Sequence, residues 1–525
     1  MFKKQKLILF LLTFCFWQLV FAQVKETKKD SSEVYNQIQT YSKKNKFTKL
    51  VHKLVFRPVN VKTKKTKVIP KRYTKFEGKI IRNINIVTLD PFGYSEIDTT
   101  RKPKNWAERS GNRIHIKTKN LAIRNLLLIQ KNKPLDSLLV KESERLIRMQ
   151  RYISRVDITP QLIPKNQDSV DIFIRVLDSW SIIPKGSISS SRSNFELNDR
   201  NILGSGHEFN NKFKNRFSDR KSAYSLAYTI PTIKNTFIKT TVSYSIDLED
   251  YYSKSINFDR PFYSAFTKWA GGVYFDQQFR KDSLADSNAV FANQNFKHNS
   301  QDLWLGHAFT ILKGNSESVR TTNLVVAGRF LNVNYLESPS IEYDPTNFYS
   351  DEKFSLIGIG ITSRKFIQDN YIFNNGIIED VPIGKIFGIT SGYQYKNNFG
   401  RYYFGARAAF GNFYKWGFLS ANFELGTFLK KSNTKQTAFS FQANYFTSLI
   451  SLGKWKLRQF IKPQFIIGFN RVNIIGDNLT INENYGIQGF NSPEYGTEKA
   501  ILTFQTQAYA PWNLWGFRLN PYFNY

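Results

Sequence analysis

Over residues 181–525 apolar side chains recur at every second position, in stretches of about ten residues bounded by Asn, Gly, Asp, Ser or Pro. Tyr224, Leu226, Tyr228 and Ile230 make one such stretch. Ile357, Ile359 and Ile361 make another, with Gly358 and Gly360 between them. Phe404, Ala406, Ala408 and Phe410 repeat the pattern, as do Phe439, Phe441, Ala443 and Tyr445. Roughly fifteen to seventeen segments of this kind can be placed. A period of two belongs to a strand, and this segment length with short turns is the signature of a transmembrane β-barrel. One face of each strand then meets lipid and the other a polar lumen. Backbone amides in lipid must all be paired, so a spanning sheet has to close on itself. A soluble propeller would show a blade repeat of about 40–50 residues, and none is visible. Nor does a soluble sheet call for so many outward aromatics. Aromatic residues are 16% of the 525, including 46 Phe and 27 Tyr, which suits girdles at the membrane interfaces.

The N-terminus agrees with export. Lys3, Lys4 and Lys6 precede an apolar run from Leu7 to Trp17, and Val20-Phe21-Ala22 supplies a small-residue cleavage site. This reads as a secretory signal peptide over residues 1–22. The only cysteine, Cys15, lies inside it, so a disulfide scaffold and a Cys-rich zinc site are excluded. Beyond residue 22 no run of about 18 apolar residues exists for a transmembrane helix, and the mean hydropathy is −0.40. The net charge of +34 is one expected of a nucleic-acid-binding chain. Export turns it instead into a membrane-surface feature, and no nucleic-acid partner is expected. Residues 23–76 carry sixteen Lys/Arg against Glu26, Asp30 and Glu33. Helical spacing of apolar residues there predicts one or two amphipathic helices over about 33–56, followed by a lysine-rich linker from Val61 to Lys67.

Residues 77–180 read as a small α+β module, ordered strand, helix, helix, strand, strand. Ile84 and Ile86 mark the first strand. Thr118 is the predicted N-cap before Ile123, Leu126 and Leu127. Asp136 is the predicted cap of a second helix bearing Leu138, Leu139, Leu146 and Ile147 on one face. Tyr152, Val156 and Ile158 share a face of the next strand. Val170, Ile172, Ile174 and Val176 alternate with polar residues in the last.

Three stretches carry a family resemblance. Gly78–Ile86, with Leu135-Asp136, Ser143–Met149, Tyr152-Ile153 and Asp168–Ile172, resembles a POTRA domain. Asn198-Asp-Arg-Asn-Ile-Leu-Gly-Ser-Gly206 resembles a D-x-N-x-L-G-x-G barrel turn. Its motif positions are Asp199, Asn201, Leu203, Gly204 and Gly206. Gly486, Ile487, Gln488, Gly489 and Phe490 resemble an inward-folding loop, followed by a strand from Ala500 to Tyr509. Together, in this order, they resemble the Omp85 superfamily, in particular its BamA/TamA-like members. The resemblance implies a mainly β fold: an antiparallel transmembrane barrel of about 16 strands over 181–525, preceded by the POTRA domain. It implies a bacterial outer-membrane location with the POTRA domain in the periplasm. It further implies an assembly or protein-translocation factor working on unfolded outer-membrane or secreted client polypeptides, in contact with outer-membrane lipids and accessory subunits. The strand edge at Ile153, Val156 and Ile158 is expected to pair with extended clients. Two departures stand out. Gln488 occupies the family's Arg position, which removes a charge-assisted lock. Only 35 residues follow Phe490, so the barrel is expected to continue beyond Tyr525.

Enzymatic chemistry finds no support in the sequence. His52, His115, His207, His298 and His307 are widely spaced and form no H-E-x-x-H pair. Gly204-Ser205-Gly206 does not meet G-x-S-x-G and reads as a tight turn. Asp477, Glu483 and Glu494 are the nearest thing to a cation site, and solvated loop carboxylates are the plainer account. No catalytic residue, cofactor or metal is expected. The alternative to an assembly factor is a passive outer-membrane pore or uptake channel, which would need neither the module nor the Asn484–Phe490 loop.

Overall fold

The computed structural model describes residues 56–58, 73–164, 166–431, 433–472, 477–482, 486–487, 489–490, 492, 494–514 and 517–525. The signal peptide, the expected helices over 33–55 and the linker from Val61 to Lys67 lie outside these. The chain divides into two compact units.

The larger unit holds the module and most of the barrel. In the module, β2 (Ile80–Leu89) lies parallel to β4 (Asn166–Asp178), and β3 (Ile153–Ile163) lies antiparallel to β4 on its other side. Val170, Ile172, Ile174 and Val176 of the central strand are all fully buried, on the face that sequence alternation assigned them. Three helices intervene: α1 (Trp106–Ile114), α2 (Asn120–Arg124) and α3 (Ser137–Arg148). Asp136 caps α3 as expected, accepting from the Leu138 and Leu139 amides at 3.0 and 3.3 Å. The core includes Ile123, Leu126, Val140 and Ile147 from α2, α3 and the turn between them, closed below by Tyr73 and Phe76. Two expectations fail locally. Thr118 caps no helix; the N-cap of α2 is Lys119, without a side-chain bond, because the Thr118 hydroxyl is used elsewhere. And α1 is an additional helix that the sequence pattern did not signal, since none of its residues is buried.

The barrel runs in sequence order from β5 (Ile182–Ile188) to β21 (Glu498–Tyr509), and β24 (Tyr522–Asn524) stands between β21 and β5, closing the order. Pairing is antiparallel throughout the described barrel ladders. It is longest between β14 (Glu352–Asn370) and β15 (Ile378–Lys396), where nineteen residues face nineteen. Such strands exceed the ~9–11 residues needed to cross a bilayer and so reach beyond it.

Polarity is the reverse of a soluble sheet. Phe275, Leu303, Leu305, Phe330, Ile357 and Ile359 point outward and are exposed. Their alternates Tyr274, Asp302, Trp304, Arg329 and Thr390 line an internal cavity of about 600 Å³. Inside, Arg329 donates to Asp302 at 2.8 Å, and Arg407 donates to Asn422 at 2.9 Å with Glu424 at 3.3 Å. Charges that would be costly in lipid are thus kept on the lumen side in pairs. No helix among the described residues is long and apolar enough to cross a membrane.

The smaller unit is a short three-stranded sheet with a hairpin. β1 (Phe56–Pro58) pairs antiparallel with β22 (Trp512–Leu514), and β22 with β23 (Phe517–Arg518). Phe56, expected at the end of a helical run, is therefore in a strand. The hairpin pairs β19 (Ile450–Leu452) with the start of β20 (Trp455–Phe469), and Trp455 meets Trp512 edge-on at 6.1 Å.

Candidate functional site at the module–barrel junction

The barrel-turn motif is where module and barrel lock together. After β6 (Arg192–Ile202) the chain must reverse into β7 (His207–Arg216) within four residues. Gly204 and Gly206 do this with φ of +71° and +78°, and Leu203 also adopts a positive φ of +51°. Both glycines are also approached closely by the module. A Cβ at Gly204 would overlap the Lys117 carbonyl oxygen, and one at Gly206 would stand 2.8 Å from the Tyr152 hydroxyl. The Gly204 carbonyl accepts from the Lys119 amide at 2.8 Å.

Asn201, 1% exposed, ties the turn to the module. Its side-chain oxygen accepts from the Gly206 amide at 2.7 Å, and its amide donates to the Thr118 hydroxyl at 2.9 Å. Asp199 accepts from the Asn201 amide at 2.9 Å. Thr118 passes the chain on, donating its hydroxyl and its backbone amide to Asp178, each at 2.8 Å. Asp178 is fully buried, and burial pushes its carboxyl up to about 6, against the pull of Thr118 and His115. The His115 ring lies between two carboxylates, 3.2 Å from Asp90 and 3.8 Å from Asp178. The sequence motif identified Asp199, Asn201, Gly204 and Gly206. It did not identify His115, Thr118 or Asp178 as their partners, since these sit at unremarkable spacing and meet only in the fold. Leu203, the remaining motif residue, is 65% exposed at the rim.

Helix α3 makes the second part of the junction. One stripe (Val140, Ser143, Ile147) faces the module core, and the other carries Lys141, Arg145 and Arg148 towards the barrel. Arg148 forks onto Asp380 of β15 with bonds of 2.8 and 3.0 Å, and also reaches Glu144 at 3.2 Å. Arg145 pairs with Glu142, donates to the Tyr263 carbonyl at 2.8 Å and lies over the Phe366 ring at 4.0 Å. Lys141 meets Glu317 at 2.7 Å, and Asp136 meets Arg320 at 2.6 Å. Asn235 donates to the carbonyls of Asn125 and Leu127, each at 2.9 Å. Four separate barrel segments thus hold one helix and the turn before it.

The other expected site residues fall as follows. Ile153, Val156 and Ile158 lie on β3, an edge strand of the module sheet, but their side chains turn into the core. The Ile158 carbonyl accepts from the Tyr73 hydroxyl at 3.3 Å. In the loop after β20, Gly489 has φ +78°, while Ile487 and Phe490 are 49% and 40% exposed. Gln488 lies outside the described residues, as does Glu483. Asp477 is no free loop carboxylate: it is 5% exposed, paired with Arg471, and accepts from Gln436 of the barrel wall at 2.8 Å. This anchor for the loop was not foreseen. Glu494 stays near the surface. Among the described residues no group of three or more His, Cys, Asp or Glu could hold a metal.

No family model and no curated protein matches the chain. Among solved structures it matches BamA from Haemophilus ducreyi lacking POTRA domains 1–3, at 10% identity and TM-score 0.30, over 85% of each chain. It matches CdiB from Acinetobacter baumannii at 10% identity and TM-score 0.29, over 90% of this chain and 92% of that one. It matches CdiB from Escherichia coli at 9% identity and TM-score 0.34, over 93% of both. Similarity at this level adds no weight to what the chain's own geometry supports.

Proposed function

We propose that this chain is an outer-membrane barrel of the Omp85 kind, which uses its module to receive client polypeptides and its barrel to insert them or pass them across the membrane. The observation that supports this reading is the clamp at α3. A folded module is fixed by ion pairs and hydrogen bonds to four segments at one end of a barrel whose lumen is polar and whose outside is apolar. Whatever the module binds is therefore held at the strand ends. A passive pore gains nothing from a soluble domain fixed there.

In this reading the module is a POTRA domain in the periplasm, and β3 is the client-binding edge. An extended client segment adds to it by backbone pairing, displacing the Tyr73 hydroxyl from the Ile158 carbonyl. The insertion seam lies between the first and last strands of the barrel. Accessory subunits and outer-membrane lipids complete the set of partners.

Planar-bilayer recording of the purified chain tests the choice between the two readings. An assembly factor shows brief, low conductance; a stable, large open state favours the passive pore. In proteoliposomes, an unfolded barrel client should fold faster with this chain than in empty vesicles. No acceleration of any client, together with a stable open state, would sink the proposal.

A further inference from the structure

The segment between β2 and α2, residues 90–119, is an insertion whose outer face has no partner in the mechanism above. Its helix α1 is capped by Asn105, whose side chain accepts from the Glu108 amide at 2.8 Å. One face is turned inward: Asn112 donates to the Phe92 carbonyl at 2.8 Å and accepts from its amide at 3.1 Å, and Glu108 accepts from the Lys104 amide at 2.7 Å. The opposite face presents Trp106, 77% exposed, and Ile114, 65% exposed, two turns apart. Arg109 and Arg113 flank them on the same side, and Arg101, Lys102 and Lys104 lead into the helix, all exposed. The nearby acids are Glu108 and Asp98, the latter beside Arg101, so five basic side chains face two carboxylates. The face is therefore net cationic and aromatic.

Its position on the barrel says what it meets. The insertion packs on Trp180, with Phe92 at 5.9 Å and His115 at 6.4 Å between ring centres. Trp180 leads into β5, whose residue Ile182 lies opposite Asp199. In the same ladder Lys185 lies opposite Glu196, and these two form the ion pair on the lumen side. Ile182 thus belongs to the outward face, and Trp180, just before the strand, donates to its carbonyl at 2.5 Å. Lys119 bonds the Gly204 carbonyl in the adjoining turn. The insertion accordingly sits on the outside of the rim, not over the lumen.

We propose that α1 is an interfacial anchor, with Trp106 and Ile114 set into the headgroup layer beside the barrel and the arginines and lysines on anionic lipid headgroups. The physical basis is general: Trp favours the interface, and each basic residue near an anionic surface strengthens binding. The inference rests on the reading of the barrel as membrane-spanning.

The test uses the full chain with Cys15→Ser, reconstituted in vesicles of phosphatidylcholine alone or mixed with phosphatidylglycerol. A fluorophore is placed at Ser110→Cys, between Trp106 and Ile114 on the helix face, and quenched with headgroup nitroxide lipids. Leu162→Cys, on the module away from this face, and Ile359→Cys, quenched by acyl-chain nitroxide, are controls. The expected result is quenching at 110 that is strong with phosphatidylglycerol and weak without it. Arg109→Glu with Arg113→Glu should lower it at least fivefold, from the roughly fivefold effect of a single surface charge. Position 162 should stay unquenched. Equal quenching at 110 in both vesicles, or none while 359 is quenched, overturns the anchor. Failure at 359 as well overturns the membrane-spanning reading and the anchor with it.

Discussion

At the scale of single residues, three positions at the junction carry most of the consequence. Gly204 has a positive φ and faces a backbone carbonyl that cannot move aside. Gly204→Ala should therefore cost at least ~1–2 kcal/mol from the backbone alone, read as a lowered unfolding temperature of the module in detergent. Arg148 and Asp380 are 7% and 8% exposed, and removing Arg148 leaves the Asp380 carboxylate buried without its cation. Arg148→Ala should cost about 3–5 kcal/mol. A double-mutant cycle with Asp380→Ala should show most of that loss shared; additive losses would mean the pair does not couple. Asp178 sets a pH dependence. Its carboxyl titrates near 6 in the folded protein and near 3.8 when unfolded, so the folded state binds more protons between these values. Stability then falls as pH rises through this window and is flat above it. Going from pH 7 to pH 5 should strengthen the junction by about 1 kcal/mol. His115, Asp90 and Lys117 face the same network. Asp178→Asn should remove the slope, and an unchanged slope in calorimetry would assign it to another group.

At the scale of elements, legibility followed periodicity. The strands of the barrel and the central module strand were readable because alternation by two is imposed at each residue by burial or lipid. Ile174, fully buried, is the kind of residue that carries this signal, and Ile174→Ala should cost about 2–5 kcal/mol in chemical unfolding. Helix α1 was not readable, because it buries no residue and its apolar side chains lie on an outward face. Thr118 looked like a cap from its neighbours, yet Asp178, sixty positions away, takes its hydroxyl. Half of the junction was visible as a turn motif, since glycines at positive φ leave a local trace. The other half was not, because Arg148 and Asp380 lie 232 positions apart and neither has a distinctive context. Likewise Asp477 read as a solvated acid until Arg471 and Gln436 closed around it.

At the scale of the whole molecule, we propose that an outward apolar barrel, a polar lumen and a module clamped at one end make a device that handles other chains. That claim is distinct from the fold. An uptake channel can share the barrel, and the clamp alone sets them apart. Depletion of the protein in its own cells, followed by quantitative proteomics of the outer membrane and the medium, is the most direct measurement. The account predicts selective loss of one or more outer-membrane or secreted proteins before growth fails, restored by the wild-type chain and poorly by Arg148→Ala. Unchanged amounts of every other outer-membrane and secreted protein would contradict it.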